Sequence, residues 1–171
     1  MVFLRKIRKA KWYRNQNVPW LGSDDLQADT LGDLETKDNK LSVYQISNSN
    51  ENLEQVVVAI ALTCDHITNV DYALINEEDL DSLKLKCVRT NGDTPDENVN
   101  LLHYDLVEIT ANKILDLAYV IKRSEINRLT EKRVKQIAAN ALNQNSFDRT
   151  KINLKTESRQ SLEALAERLR K

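Results

Sequence analysis

The metal-binding residue types of this chain are Cys64, His66, Cys87 and His103, which are all of its cysteines and histidines. Four nitrogen and sulfur ligands would satisfy a tetrahedral zinc ion. Zinc sites usually combine two closely spaced pairs, and here only Cys64 and His66 are close in sequence. The spacing favours buried thiols and ordinary histidines. We therefore predict no metal and no cofactor, with these four residues as the candidates if a metal binds.

Nucleophilic catalysis would need a serine or cysteine beside a base and an orienting acid. The Cys64-Asp65-His66 segment places a thiol and an imidazole two residues apart, and such neighbours do not face each other on a helix. The sequence has no G-x-S-x-G motif, and residues 48–52 (NSNEN) lack the glycines of a phosphate-binding loop. A small enzyme of unknown reaction is therefore only the second alternative.

Three acids, Asp25, Asp29 and Asp33, are spaced four residues apart within a short helix predicted over residues 23–34, with Ser23 as its N-cap. Like charges at this spacing cost ~0.2–0.5 kcal/mol per pair. Such a face could bind a divalent cation or a basic partner, but a solvated acidic surface is the favoured interpretation.

The N-terminal 22 residues mix basic and aromatic side chains and contain both tryptophans, Trp12 and Trp20. Residues 1–14 carry six basic residues and no acid. Phosphate contacts and base stacking would let such a segment bind nucleic acid, and the same composition suits an anionic membrane surface. Alternatively, the tryptophans anchor the segment to the protein body. We predict that residues 1–22 form an arm.

The net charge of −1 hides a marked asymmetry along the chain. Residues 15–121 carry 6 basic and 20 acidic residues, whereas residues 122–171 carry 13 basic and 6 acidic residues. The basic ends either fold back on the acidic middle or bind a separate partner, and the sequence leaves both open.

Composition describes an ordinary globular chain. It has 171 residues, 41% hydrophobic and 30% charged, which is long enough to bury a core without disulfides or metals. No apolar block follows the basic N-terminal residues, and the apolar run at 56–62 is far shorter than the ~20 residues of a membrane span. We predict a cytoplasmic protein with free thiols and no membrane span.

The helix predicted over residues 94–123 organises the rest of the chain. Thr94 and Glu97 match a capping box, and Pro95 falls at the first helical position. An apolar stripe at helical spacing comprises Leu102, Leu106, Ile109, Ile114, Leu117 and Ile121. Further helices are predicted from residue 126 to about 142 and over residues 158–171.

Strands are predicted at residues 41–46, 70–75 and 85–90. The apolar segment 53–64 between the first two favours a buried helix, with a central strand as the alternative. Strand, helix and strand would form a βαβ-like unit. The predicted fold is α+β or α/β and rich in helix. It is one domain, with a small two- to three-stranded sheet (residues 23–93) packed on the long central helix, followed by C-terminal helices (residues 94–171).

These patterns indicate a non-catalytic accessory or adaptor subunit that binds a protein partner, either another protein or itself. The alternative is a nucleic-acid-binding protein that uses its basic arm and basic C-terminal helices, although no known nucleic-acid-binding motif is present. The residues predicted to contact a partner are Arg5, Arg8, Lys11, Trp12, Trp20, Lys132, Arg133 and Lys135.

Overall fold

The computed structural model describes residues 1–8, 12, 22, 25–47 and 49–171. They form an α+β fold with a six-stranded antiparallel sheet. The strands are β1 (Val2–Ile7), β2 (Leu41–Ile46), β3 (Val70–Asn76), β4 (Lys86–Arg89), β5 (His103–Val107) and β6 (Ile126–Leu129). The α-helices are α1 (Leu53–Ala61), α2 (Glu77–Ser82), α3 (Glu97–Asn100), α4 (Ala111–Arg123), α5 (Glu131–Asn143) and α6 (Thr156–Arg170). Ala28–Leu34 and Arg149–Lys151 are 3₁₀ helices.

The chain divides into two compact units. Unit 1 consists of Met1–Gln45, Asp71–Arg89 and Tyr104–Arg128, and unit 2 consists of Ile46–Val70, Thr90–His103 and Leu129–Lys171. Nearly all of the sheet lies in unit 1, whereas α1, α3, α5 and α6 lie in unit 2.

The core of unit 1 forms between one face of the sheet and α4. The sheet order is β4-β5-β2-β1-β3-β6, and β1 pairs antiparallel with β3 from Val2 opposite Asn76 to Ile7 opposite Asp71. Because strand side chains alternate between faces, Phe3 and Ile7 point into the same core. The buried cluster comprises Phe3, Ile7, Trp12, Leu34, Leu41, Val43, Ala73, Ile75, Leu80, Leu85, Leu106, Ile109, Leu117, Ala118, Val120 and Ile121.

The predicted two- to three-stranded sheet is wrong, because the sheet has six strands. The strands predicted at 41–46, 70–75 and 85–90 are present as β2, β3 and β4. The missed strands are β1, β5 and β6. A strand gains its hydrogen bonds only from a partner that is distant in sequence, so short basic or mixed segments carry little local signal of it.

The helix predicted over residues 94–123 is also wrong. Asp96, not Thr94, caps α3, because its carboxylate accepts hydrogen bonds from the backbone N–H groups of Asn98 and Val99. The chain then enters β5, and Glu108 follows with a left-handed φ of 57° that ends the strand. Thr110 caps the real helix, α4, by accepting from the N–H of Lys113. The apolar spacing of residues 102–109 suited both a helix and a strand.

Two further predictions, the βαβ-like unit and the helix that begins at residue 126, are also wrong. In the antiparallel sheet β2 and β3 run in the same direction, but β1 lies between them, so the predicted βαβ pairing is interrupted. Ile126–Leu129 is β6 rather than the start of a helix, and α5 begins after Thr130, whose hydroxyl accepts from the N–H of Arg133.

Two helices of unit 2 were correctly predicted from the sequence. The segment from residue 53 is helix α1, and its residues 56–61 are all buried, which confirms the helix and excludes the strand alternative. The amphipathic C-terminal helix is confirmed as α6, which packs on α5 through Leu162 and Ala166. No helix in the described residues is long and apolar enough to cross a membrane.

The loop between β4 and β5 is held by a buried polar network in unit 2. Thr94 donates through Oγ1 to Oδ1 of Asn100 at 2.8 Å, and Gln55 donates to the Asp96 carboxylate at 2.7 Å. Gly92 packs so closely here that a Cβ atom would lie 3.1 Å from Cα of Asn100 and 3.1 Å from Cβ of His103. A side chain at position 92 would therefore force these neighbours to shift by a few tenths of an ångström.

Candidate interaction surface

Helix α4 is fixed firmly on unit 1, so its outward face is presented in a defined orientation. Its inner face buries Leu117, Ala118, Val120 and Ile121 in the core. At its edges, Lys113 donates through Nζ to the carbonyl oxygen of Lys84 at 2.8 Å, and Lys122 donates to that of Asp25 at 2.8 Å. The packing and these tethers leave only the outer face accessible.

That outer face carries an exposed apolar pair, Leu115 and Tyr119. Their side chains are 44% and 43% exposed and lie one helical turn apart. The other exposed large hydrophobic residues of the described chain are Met1, Val88, Leu101 and Leu169. Single exposed apolar side chains are normal on proteins. Leu115 and Tyr119 differ because they are adjacent on a rigid helix.

Two opposite charges flank this pair. Asp116 and Arg123 are both exposed, and among the described residues the Asp116 carboxylate has no hydrogen bond or ion pair. Arg123 donates through Nε to the carbonyl oxygen of Tyr119 at 3.3 Å, and no described residue accepts from its Nη groups. The outer face of α4 therefore combines an apolar centre with one unused carboxylate and one available guanidinium.

The predicted arm begins as a central strand of the sheet, and two of its predicted contact residues, Arg8 and Trp12, bond to Asp33. The carboxylate of Asp33 accepts from Arg8 N at 2.7 Å, from Arg8 Nε at 2.9 Å and from the indole Nε1 of Trp12 at 2.9 Å. Trp12 is buried. Lys11 and Trp20 lie outside the described residues. Asp33 is thus a buried hub rather than part of a solvated acidic face.

Arg5 is engaged within the same region. It donates through Nη1 to the carbonyl oxygen of Ser42 at 2.9 Å and through Nη2 to that of Asp33 at 2.7 Å. Its Nε is buried without a hydrogen-bond partner. Burial lowers the pKa of Arg5 to about 10, although nearby Asp33 and Tyr44 act in the opposite direction. The guanidinium remains charged at neutral pH but is directed into the protein.

The predicted basic contacts on α5 are mostly paired within unit 2. Arg133 forms a bidentate ion pair with Glu54, at 2.8 and 2.7 Å, and Lys135 pairs with Glu131. Lys132 is exposed and lines a shallow depression with Lys135 and Leu165. Of the three residues, Lys132 is the one without a partner among the described residues.

Ion pairs join the basic ends of the chain to its acidic middle. In unit 2 they are Arg133–Glu54, Lys151–Asp93 and Lys155–Asp65, and in unit 1 they are Arg8–Asp33 and Arg128–Asp71. The charge asymmetry of the sequence is therefore matched in part within each unit. Surface pairs of this kind stabilise a fold only slightly, but they occupy charges that a polyanion would need.

The four metal candidates have other surroundings. Cys64 Sγ lies 3.8 Å from the carbonyl oxygen of Ile60, and His103 Nδ1 lies 2.8 Å from Oγ1 of Thr90. Cys87 is half-buried in β4, and burial, reinforced by nearby acids, raises the pKa of its thiol to about 11. A raised thiol pKa disfavours the thiolate that binds metals. No group of three or more His, Cys, Asp or Glu in the described residues could hold a metal ion.

His66 and Ser158 form a hydroxyl–imidazole contact of 3.0 Å, which raises the question of nucleophilic catalysis. The contact uses Nδ1, so an orienting acid would have to bond Nε2, and no described residue does so. The adjacent acid, Asp65, pairs instead with Lys155 at 3.0 Å. The arrangement joins the first turn of α6 to the loop after α1 and lacks the third group of a triad.

The apolar pair on α4 was not identified from the sequence. The predicted helix of residues 94–123 assigned its stripe to Leu117 and Ile121, and both are indeed buried. Leu115 and Tyr119 also lie at i, i+4 spacing, but on the side of the helix opposite to that stripe. This spacing of two apolar residues was the signal in the sequence from which the exposed pair could have been predicted.

Comparisons with known proteins supply no further guide: no protein-family model matches the chain, and neither the curated proteins nor the solved structures searched contain a significant match.

Proposed function

We propose that this protein is a non-catalytic protein-binding subunit and that the outer face of α4 is its contact surface. The observation that carries the proposal is the exposed Leu115–Tyr119 pair on a helix that is otherwise fixed to the core. Interface centres are enriched in tyrosine and other large side chains that are rigid enough to bind at low entropic cost.

Protein binding is favoured over nucleic-acid binding because most of the predicted basic contacts are occupied. Arg5 and Arg8 bond to groups of unit 1, and Arg133 bonds to Glu54 in unit 2. A phosphate backbone would have to displace these partners. Protein binding is favoured over catalysis because the His66–Ser158 contact has no orienting acid in the described residues.

A photo-crosslinking amino acid placed at position 119 tests the proposal in cells that make the protein. The matched control carries the same group at Gln160, an exposed position on α6. We expect discrete crosslinked protein products from position 119 and none from position 160. Equal backgrounds from the two positions would contradict a contact surface on α4. Crosslinking to RNA or DNA would instead favour the nucleic-acid alternative.

A further inference from the structure

The positions of the two charges along the outer face of α4 indicate which kind of partner this face can bind. Asp116 precedes Tyr119 by three residues, and Arg123 follows it by four. At 100° per residue, positions seven apart differ by only about 20° around the helix, so both charges lie on one flank of the apolar pair. They are separated by about 10 Å along the axis, which is too far for them to neutralise each other.

We propose that a second copy of this chain packs on this face, with the two α4 helices antiparallel about a two-fold axis beside Tyr119. This inference rests on the proposed function and names its partner. A two-fold axis between positions 119 and 120 brings Asp116 of one copy opposite Arg123 of the other, and the reciprocal contact follows by symmetry. Because that axis is perpendicular to both helices, the flank that carries the charges lies on the same side of the contact in both copies.

Charge complementarity distinguishes this arrangement from the alternatives for two copies. A parallel pair about a two-fold axis along the helices would place the two charged flanks on opposite sides of the contact, so that neither charge would meet an opposite charge. In the antiparallel pair each unused carboxylate meets an available guanidinium. The two Tyr119 rings lie near the axis, and each Leu115 packs toward the tyrosine and the aliphatic part of Arg123 in the other copy.

The contact is small. It covers about two helical turns per copy, which is below the ~1,000 Å² expected of a stable interface. We therefore expect a weak dimer that forms in the range of about 0.01–1 mM. Additional contacts from regions flanking α4 would strengthen it without changing its symmetry.

Reciprocal charge reversal tests the inference by sedimentation of the full chain at several concentrations. Asp116→Arg alone makes both charges positive, and Arg123→Asp alone makes both negative, so each variant should dimerise at least about 10-fold more weakly than wild type. An equimolar mixture of the two variants should restore a one-to-one pair, because every contact is again between opposite charges. Glu51→Arg and Arg168→Asp, reversals at exposed positions of unit 2, are the matched controls and should leave dimerisation unchanged.

The results separate this inference from the proposed function. A wild-type chain that stays monomeric up to about 1 mM, single reversals that do not weaken dimerisation, or a mixture that does not re-associate would each overturn the second-copy inference. If position 119 then crosslinks a different protein, the proposed function survives with another partner. If it crosslinks nothing, both proposals fail. Circular dichroism of each variant establishes that a loss of dimer is not a loss of fold.

Discussion

Replacing Asp33 by alanine should be among the most destabilising single changes in unit 1. The substitution removes a buried carboxylate that accepts from the backbone N–H of Arg8 and from the indole of Trp12, and it leaves both donors without an acceptor. It also removes a negative charge that favours the protonated form of the inward-directed Arg5. An unsatisfied buried group costs about 1–3 kcal/mol, and two donors lose their acceptor here.

These contributions overlap, so we expect a loss of about 3–4 kcal/mol in the free energy of unfolding. For a chain of this length that corresponds to a fall in Tm of about 6–16 °C. Asp33→Asn should cost less, about 1–2 kcal/mol, because the amide oxygen can keep two of the bonds at the former Oδ2 position. Urea unfolding followed by tryptophan fluorescence measures both variants, and circular dichroism checks that the transitions coincide.

Arg8→Gln separates the buried hydrogen bonds from the ion pair. The Arg8 side chain is 69% exposed, and its backbone N–H would still bond to Asp33. We therefore expect a loss of less than about 1 kcal/mol. If Arg8→Gln costs as much as Asp33→Ala, the exposed ion pair rather than the buried hub stabilises this region. If Asp33→Ala lowers the free energy of unfolding by less than about 1 kcal/mol, the buried hydrogen bonds of Asp33 do not stabilise this region.

Three further predictions concern other parts of the chain. Gly92→Ala should cost about 1–3 kcal/mol because its Cβ would press on fixed neighbours, whereas Asn91→Ala at the exposed adjacent position should be nearly neutral; equal effects in urea unfolding would exclude a steric requirement. In a Cys64→Ser background, alkylation of Cys87 followed by mass spectrometry should rise with pH toward about 11, since burial raises the pKa of this thiol. Because the folded-state pKa lies above the ordinary value of 9.0, the stabilising contribution of the neutral thiol is complete below pH 9.0 and is lost as the pH rises toward about 11; a reactivity midpoint near 9.0 would argue against burial. Arg133 donates hydrogen bonds to Glu54 and lowers the pKa of this carboxylate below its ordinary 4.5. The ionised carboxylate therefore contributes stability above pH 4.5, and this contribution is lost as the pH falls. Glu54→Gln should therefore be less stable than wild type at neutral pH, and the difference should disappear as the solution is acidified; a difference that persists in acid would assign the effect to packing.

The charge asymmetry shows what a linear pattern leaves undecided. From the sequence, the basic ends could either pair with the acidic middle or bind a separate partner. In the structure, Lys151 pairs with Asp93 and Lys155 with Asp65, so part of that asymmetry is internal. Residues far apart in sequence can neutralise each other only after folding, and composition carries no information about which of them do so.

The sequence by itself determined the elements whose hydrogen bonds are local or whose pattern is strong. The wholly apolar run of residues 56–61 is a buried helix, the alternation of residues 41–46 is a strand, and Leu162 of the C-terminal leucine pattern is buried on the inner side of α6. Helices satisfy their backbone within four residues, so capping and periodicity describe them well.

Tertiary structure decided the rest. Val2–Ile7 became the strand between β2 and β3, although its basic residues resemble an arm, because Phe3 and Ile7 find a core only in the assembled sheet. Residues 103–107 became β5, although their apolar spacing also suits a helix, because β4 offers them antiparallel partners. The outer face of α4 emerged for the same reason. Once β5 separates α3 from α4, the inner face of α4 is assigned to the sheet, and Leu115 and Tyr119 are left exposed on the other side.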